Sequence, residues 1–172
     1  MIEQIKKIEL GAVELATLVP GAQRVIEGNA ELVYRGVINT ESGEKIAYIK
    51  LLDPNQLVTE ILCALVGQAL GLPIPKPYLV SVLSGVVSEA DQDSIAFGSE
   101  DAGAVSFKRF INKDSFAAME LLNQWPIKKE VSIFDEWIAN TDRHGGNILF
   151  DGATGFWLID HSHAIVTGKL LF

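Results

Sequence analysis

The chain has 172 residues, enough for one domain of about average size that buries roughly 70 per cent of its unfolded surface. A net charge of −8, with its Lys and Arg scattered rather than clustered, works against a nucleic-acid partner, because phosphate backbones are held by clustered cations. Hydrophobic residues make up 48 per cent, yet no apolar run reaches the roughly 18 residues of a membrane span, and the charged opening Met1-Ile2-Glu3-Gln4-Ile5-Lys6-Lys7 lacks the apolar core of a secretory signal; the expectation is a cytoplasmic protein with no membrane association.

In chain order, strands are predicted near 23–27, 31–39 and 45–52, with Gly28-Asn29 as a turn between the first two and Thr40–Glu44 turning between the next two. Lys45 to Leu51 alternates like a half-buried strand that ends on Lys50. A helix follows over 54–70. Asp53 is suited to cap it, Pro54 to its first position, and Gln56 to a capping box. Its apolar face is predicted from Leu57, Ile61, Ala64, Leu65 and Leu70, and Gly71 with Pro73 ends it. The single cysteine, Cys63, excludes an internal disulfide and reads as core filling. Glu60 is the only acidic residue between Asp53 and Glu89 and so the natural partner for Lys50. A lone lysine or mid-helix glutamate is ordinarily a solvated surface residue, and only a buried pairing changes that.

The connector Leu72-Pro73-Ile74-Pro75-Lys76-Pro77 must be extended, since each proline disfavours helix at the residue before it. A strand is expected over 77–83. Residues 84–103, acidic and glycine-bearing, read as a long loop with a short strand at 94–97. Val105 to Phe110 reads as a further strand. Helices over 114–125 and 127–140 are split by Pro126, the second presenting Val131, Phe134, Trp137 and Ile138 on one face.

That second helix runs into Asp142-Arg143-His144-Gly145-Gly146-Asn147, and two strand-like runs, 148–151 and 156–159, then flank the turn Gly152-Ala153-Thr154-Gly155. Pairing Asp151 with Phe156 sets Ile148 against Ile159 and Asn147 against Asp160. Opposed residues project to one side, so an amide oxygen and a carboxylate would converge on a point suited to a hard cation. Phosphoryl transfer from ATP needs a carboxylate near the attacking hydroxyl and oxygen ligands for Mg²⁺, and Asp142, Asn147 and Asp160 can supply them. The competing reading is an ordinary hairpin with polar turn chemistry. His161 and His163 beside Asp160 also admit a transition-metal cluster, but no pattern such as H-E-x-x-H accompanies them.

Asp142 to Asn147, followed by Ile148-Leu149-Phe150 and Leu158-Ile159-Asp160, resembles the catalytic loop and metal-binding Asp of atypical kinases of the HipA type, and also of the phosphoinositide kinases. Ordinary protein kinases write these parts as H-R-D-x-x-x-x-N and D-F-G; here Asp160 is followed by His161-Ser162-His163. Ala47-Tyr48-Ile49-Lys50 is similar to the V-A-I-K strand. The resemblance implies an α+β, protein-kinase-like fold with an antiparallel N-terminal sheet plus one helix (1–111) and a short, truncated helical C-terminal lobe (112–172). It implies Asp142 as the acceptor-side carboxylate, Lys50 fixed by Glu60 on the phosphates of ATP, and Asn147 and Asp160 as Mg²⁺ ligands. Gly28 would cover the phosphates, the backbone near Phe110 would meet adenine, and Arg143 and His144 would orient the loop or meet the phosphates.

The acceptor implied is a serine or threonine hydroxyl on a protein, and the family includes toxins of toxin–antitoxin modules. Two further readings stay open: a nucleotide-binding pseudokinase acting as an interaction module, and a phosphoinositide or small-molecule kinase. Only twelve residues follow Asp160, where kinases continue into a helical bundle, which leaves a fragment, a minimal form or a partner chain that completes the lobe as readings; the apolar Leu170-Leu171-Phe172 adds the expectation of self-association as a homo-oligomer or of a partner at an interface.

Overall fold

The structure is a computed structural model that describes residues 10–26, 32–153 and 155–165. Gly28, and the Leu170 to Phe172 segment expected at an interface, lie outside the described residues.

Six strands form one sheet: β1 (Glu14–Leu18), β2 (Gln23–Arg24), β3 (Val33–Thr40), β4 (Gly43–Lys50), β5 (Pro77–Val82) and β6 (Ser94–Glu100), in the order β1-β5-β6-β4-β3-β2, with β1 also pairing β3. The expected antiparallel sheet is thus mixed, because β1 runs parallel to β5 while the other pairs are antiparallel. β1 was not anticipated from the sequence. It buries only Ala16 and Leu18 on its inner face while Leu15 is exposed, too short an alternation to stand out.

Within the acidic segment 84–103 the short strand expected at 94–97 is present and extends over Ser94–Glu100, while the residues on either side of it are turn and loop. β6 lies between β4 and β5 and buries Ala96 and Phe97. Its acidic flanks, Asp93, Glu100 and Asp101, gave it a loop composition, but they fall at the strand ends where water or partners reach them: Asp93 accepts the amide of Ser84, Glu100 the hydroxyl of Tyr78, and Asp101 the guanidinium of Arg35. Gly98 is required by close approach, since a β-carbon there would stand 2.5 Å from Val80 Cγ2.

Helix α1 (Pro54–Ala69) starts as its residues dictate. The Asp53 carboxylate accepts the amides of Asn55 and Gln56. At its other end Gly71, at φ 82°, carries the chain out while the Leu72 amide returns to Gly67 O, a Schellman closure. The buried face differs from the expected one: it is Thr59, Glu60, Cys63, Ala64 and Gly67, whereas Leu70 is half-exposed. Apolar residues surround this helix, so periodicity alone could not choose the face.

Past β6, the strand expected over 105–110 is only β7 (Val105–Ser106), and helix α2 (Phe107–Lys113) begins at once. α2 is helical because Phe107, Phe110 and Ile111 recur at helical spacing and bury against the C-terminal hairpin. The lobe boundary expected at residue 111 falls inside this helix. α3 (Ser115–Gln124) is capped by Asp114, and α4 (Lys128–Trp137) buries Val131, Phe134 and Asp135, with Ile138 just beyond, but leaves Trp137 exposed.

β8 (Ile148–Phe150) and β9 (Phe156–Leu158) form the hairpin, with β7 on the far side of β8. Two cores result. One lies within the six-stranded sheet, around Ile38, Ile49, Tyr78 and Val80; the other joins Cys63 and Ala64 of α1 to Phe107, Phe134, Phe150 and Leu158.

Candidate active site

Between the six-stranded sheet and the hairpin lies a cleft of about 390 Å³ lined by residues from both, among them Val25, Val33, Lys50, Glu60, Ser99, Glu100, Ala104, His144, Asn147 and Asp160. A more open hollow of about 520 Å³ around Leu51, Ala90 and Ile95 contains none of the candidate residues.

Lys50 ends β4 and Glu60 sits on the buried face of α1, and the two meet at 2.8 Å. The same ammonium lies 2.8 Å from Asp160 Oδ1. Glu60 is fully buried, and its second oxygen accepts the amide of His161 at 2.9 Å. Burial alone would raise the Glu60 carboxyl, but the charge of Lys50 and the adjacent His161 outweigh it and bring the group down to about 2. Glu60 is therefore ionised throughout the physiological range and holds the lysine in place. Cys63, one turn away on the same face, is held as an inert thiol, pushed up to about 12 by burial and then by the Glu60 charge.

The expected hairpin register is off by one. Phe156 pairs with Phe150, not Asp151, and Ile148 pairs with Leu158. Asp151 instead folds its carboxylate over the turn, accepting the amides of Ala153 and Gly155, so one more residue enters the loop. Asn147 consequently stands level with Ile159, whose amide donates to Asn147 O. Asp160 reaches the cleft by another route: its backbone adopts φ 63°, a left-handed turn that aspartate tolerates better than most residues. This rotates the carboxylate toward Lys50, and Ser162 Oγ donates to the same oxygen at 3.1 Å.

Asn147 is buried, and its amide nitrogen donates to Asp142 O at 3.0 Å and to Asp142 Oδ2 at 3.3 Å. That orientation leaves Oδ1 as the atom able to accept a hydrogen bond or meet a cation. Asp142 itself is about half exposed, so its carboxylate is open to solvent. His144 lines the cleft, its Nδ1 accepting the Gly146 amide. A β-carbon at Gly146 would stand 2.6 Å from His144 Cε1, and one at Gly145 would stand 2.5 Å from Ile111 Cδ1 of α2. Gly146 thus lets the His144 ring fold back over its own loop, Gly145 lets loop and helix close on each other, and the Lys108 amide bonds Gly145 O across that contact.

Of the two roles the sequence left open for Arg143, loop orientation matches its partners. Its guanidinium grips Asp135 through Nε and Nη2, both at 3.0 Å, while Nη1 donates to Asn147 O at 2.8 Å and Ile159 O at 2.7 Å. Phe110 packs on Phe107 and Phe150, with ring centroids 6.1 and 5.4 Å apart, in the core and not among the residues lining the cleft. The segment from the end of β6 to β7 supplies cleft-lining residues instead, among them Glu100, Ala104 and Ser106. His161 and His163 do not form a ligand pair: His161 is buried edge-on to Phe134 and His163 is exposed. Sequence reasoning missed Asp135 and Asn140, both buried and both hydrogen-bonded to this loop; a buried-side polar residue on an otherwise apolar helical face was the available signal at Asp135.

A lysine bridging a buried helical glutamate and an aspartate after a hairpin, opposite a loop bearing Asp and Asn, is the arrangement of the kinase fold. Residues 40–168 match the model of the HipA-like kinases, and the chain belongs to that family. No curated protein matches its sequence. In structure it is similar to the Helicobacter pylori proinflammatory kinase CtkA, with a TM-score of 0.55 and 16 per cent identity over 87 per cent of this chain. The chain spans 60 per cent of that kinase's length.

Proposed function

We propose that this chain is an ATP-dependent phosphotransferase that moves the γ-phosphoryl group to a hydroxyl, a serine or threonine of a protein. The observation that carries the reading is the pair of 2.8 Å contacts by which Lys50 joins Glu60 of the sheet-side helix to Asp160 of the hairpin. Such a bridge fixes both walls of one cleft around a single cationic group, an arrangement suited to a polyphosphate.

The residues present fit a magnesium nucleotide. Asn147 Oδ1 and the Asp160 carboxylate are hard oxygen donors lining the same cleft, and Val25, Val33, Leu149 and Leu158 give apolar walls for a purine. Bound Mg²⁺ would neutralise charge on the β- and γ-phosphates. Asn147 and Asp160 would hold the cation, and Lys50 would orient the phosphates. Asp142 accepts the hydrogen bond of the incoming hydroxyl and takes its proton as oxygen attacks γ-phosphorus; the bond to the bridging oxygen breaks and ADP leaves.

The decisive experiment measures transfer of radiolabelled γ-phosphate to proteins of a cell lysate by the wild type and Asp142→Ala. Transfer by the wild type, lost in the variant while ATP still binds, is expected. ATP binding without transfer by either protein would replace this reading with a pseudokinase.

A further inference from the structure

Asp135 and Asn140 do not line the cleft, yet they close a hydrogen-bonded ring that includes Asn147, which does. Asn140 Nδ2 donates to Asp135 Oδ1 at 2.8 Å, and Asn140 Oδ1 accepts the Asp142 amide at 3.2 Å. Asp142 in turn receives the Asn147 amide, Asn147 O receives Arg143, and Arg143 returns to Asp135. The Arg143–Asp135 pair is nearly buried, at 12 and 10 per cent exposure. Its fork leaves Nη1 to hold two carbonyls that belong to different legs of the hairpin, Asn147 and Ile159. Ile159 immediately precedes the left-handed turn at Asp160.

We propose that Asp135, Asn140 and Arg143 are positioning residues that set the acceptor-side carboxylate Asp142 and the cation ligands Asn147 and Asp160 as one rigid unit. The inference rests on the phosphotransferase reading of the cleft. Its physical content is that Asp135, anchored on α4, fixes Arg143, and Arg143 fixes the spacing of the two hairpin legs. Removing the anchor lets the legs move apart, so the cation ligands lose their common focus while the sheet-side nucleotide contacts remain.

The test compares Asp135→Asn, Arg143→Lys and Asn140→Ser with the wild type by calorimetric titration of a non-hydrolysable ATP analogue, with Mg²⁺ and without it. Each variant is expected to lose roughly tenfold or more in Mg²⁺-dependent affinity, the range seen when partners behind metal ligands are changed, while metal-free affinity stays within about twofold. Affinities that fall in parallel with and without the cation would show general loosening and overturn the proposal, as would no change in either. Arg143→Lys keeps a cation beside Asp135 and Asn140→Ser removes no charge, so the test survives if Asp135→Asn fails to fold. A wild type that binds Mg²⁺-nucleotide but transfers no phosphate would sink the phosphotransferase reading alone, the ring being decided by the affinity ratio. A wild type that binds no nucleotide would overturn both.

Discussion

At the scale of single residues, the cleft concentrates charge that the fold must hold in place. Lys50 is 12 per cent exposed and Glu60 only 1 per cent, so Lys50→Met leaves an ionised carboxylate buried with its main countercharge gone. The expected loss of stability is about 3 to 5 kcal/mol, measured by urea denaturation; a loss below about 1 kcal/mol would show that Glu60 is neutral or solvated. The acid limb of the stability curve tests the same pair. The folded Glu60 carboxyl lies at about 2 against an ordinary 4.5, a depressed value, so its contribution is complete above 4.5 and disappears as pH falls toward 2. Glu60→Gln should flatten the curve across that window. Asp160→Asn separates backbone from charge: asparagine also accepts positive φ, so the fold should survive while Mg²⁺-dependent nucleotide binding, followed by calorimetry, falls sharply.

Among the elements, α1 shows most clearly what periodicity leaves undecided. Leucine, isoleucine and valine surround the helix, and the side that faces inward carries Glu60, Cys63 and Gly67. Gly67 sits there because Ile74 Cδ1 occupies the place of its missing side chain and Phe134 Cζ would stand 3.2 Å from a β-carbon. Gly67→Val should push α1 off the second core and lower stability by about 1 to 3 kcal/mol, the usual cost of overpacking, read from thermal melts. If the variant matched the wild type, the contact of α1 with Ile74 and Phe134 would be looser than described. The hairpin teaches a complementary point. Its two strands and turn were legible from Gly152 and Gly155 flanked by apolar runs, but the register was not, because the Asp151 carboxylate satisfies turn amides and draws one more residue out of the ladder.

For the molecule as a whole, the cleft is the junction of two cores, and a ligand that spans it should couple them. Mg²⁺-ATP bound to the folded state alone is expected to stabilise it by about 2.7 kcal/mol at a concentration one hundred times its Kd, visible as a higher melting temperature. Asp160→Ala should abolish that increment. No described helix is long and apolar enough to cross a membrane.

The order of chemical groups was written in the sequence: strand-end Lys50, Glu60 on the following helix, then Asp142, Asn147 and Asp160 around a glycine pair and a hairpin. These are local or pattern signals, and the caps, turns and chain order that carry them need no knowledge of distant contacts. The full length of β6 and its place between β4 and β5, the inward face of α1, the helical start at Phe107 and the register of the hairpin were settled only by tertiary structure. Each depends on which surface a segment meets, since an acidic-ended strand, an all-round apolar helix and a short aromatic run suit more than one environment. The grip of Arg143 on Asp135 and on two carbonyls belongs with them. A buried guanidinium can orient a loop or meet a phosphate equally well by its chemistry, and only the positions of its partners across α4 and both hairpin legs decide between the two.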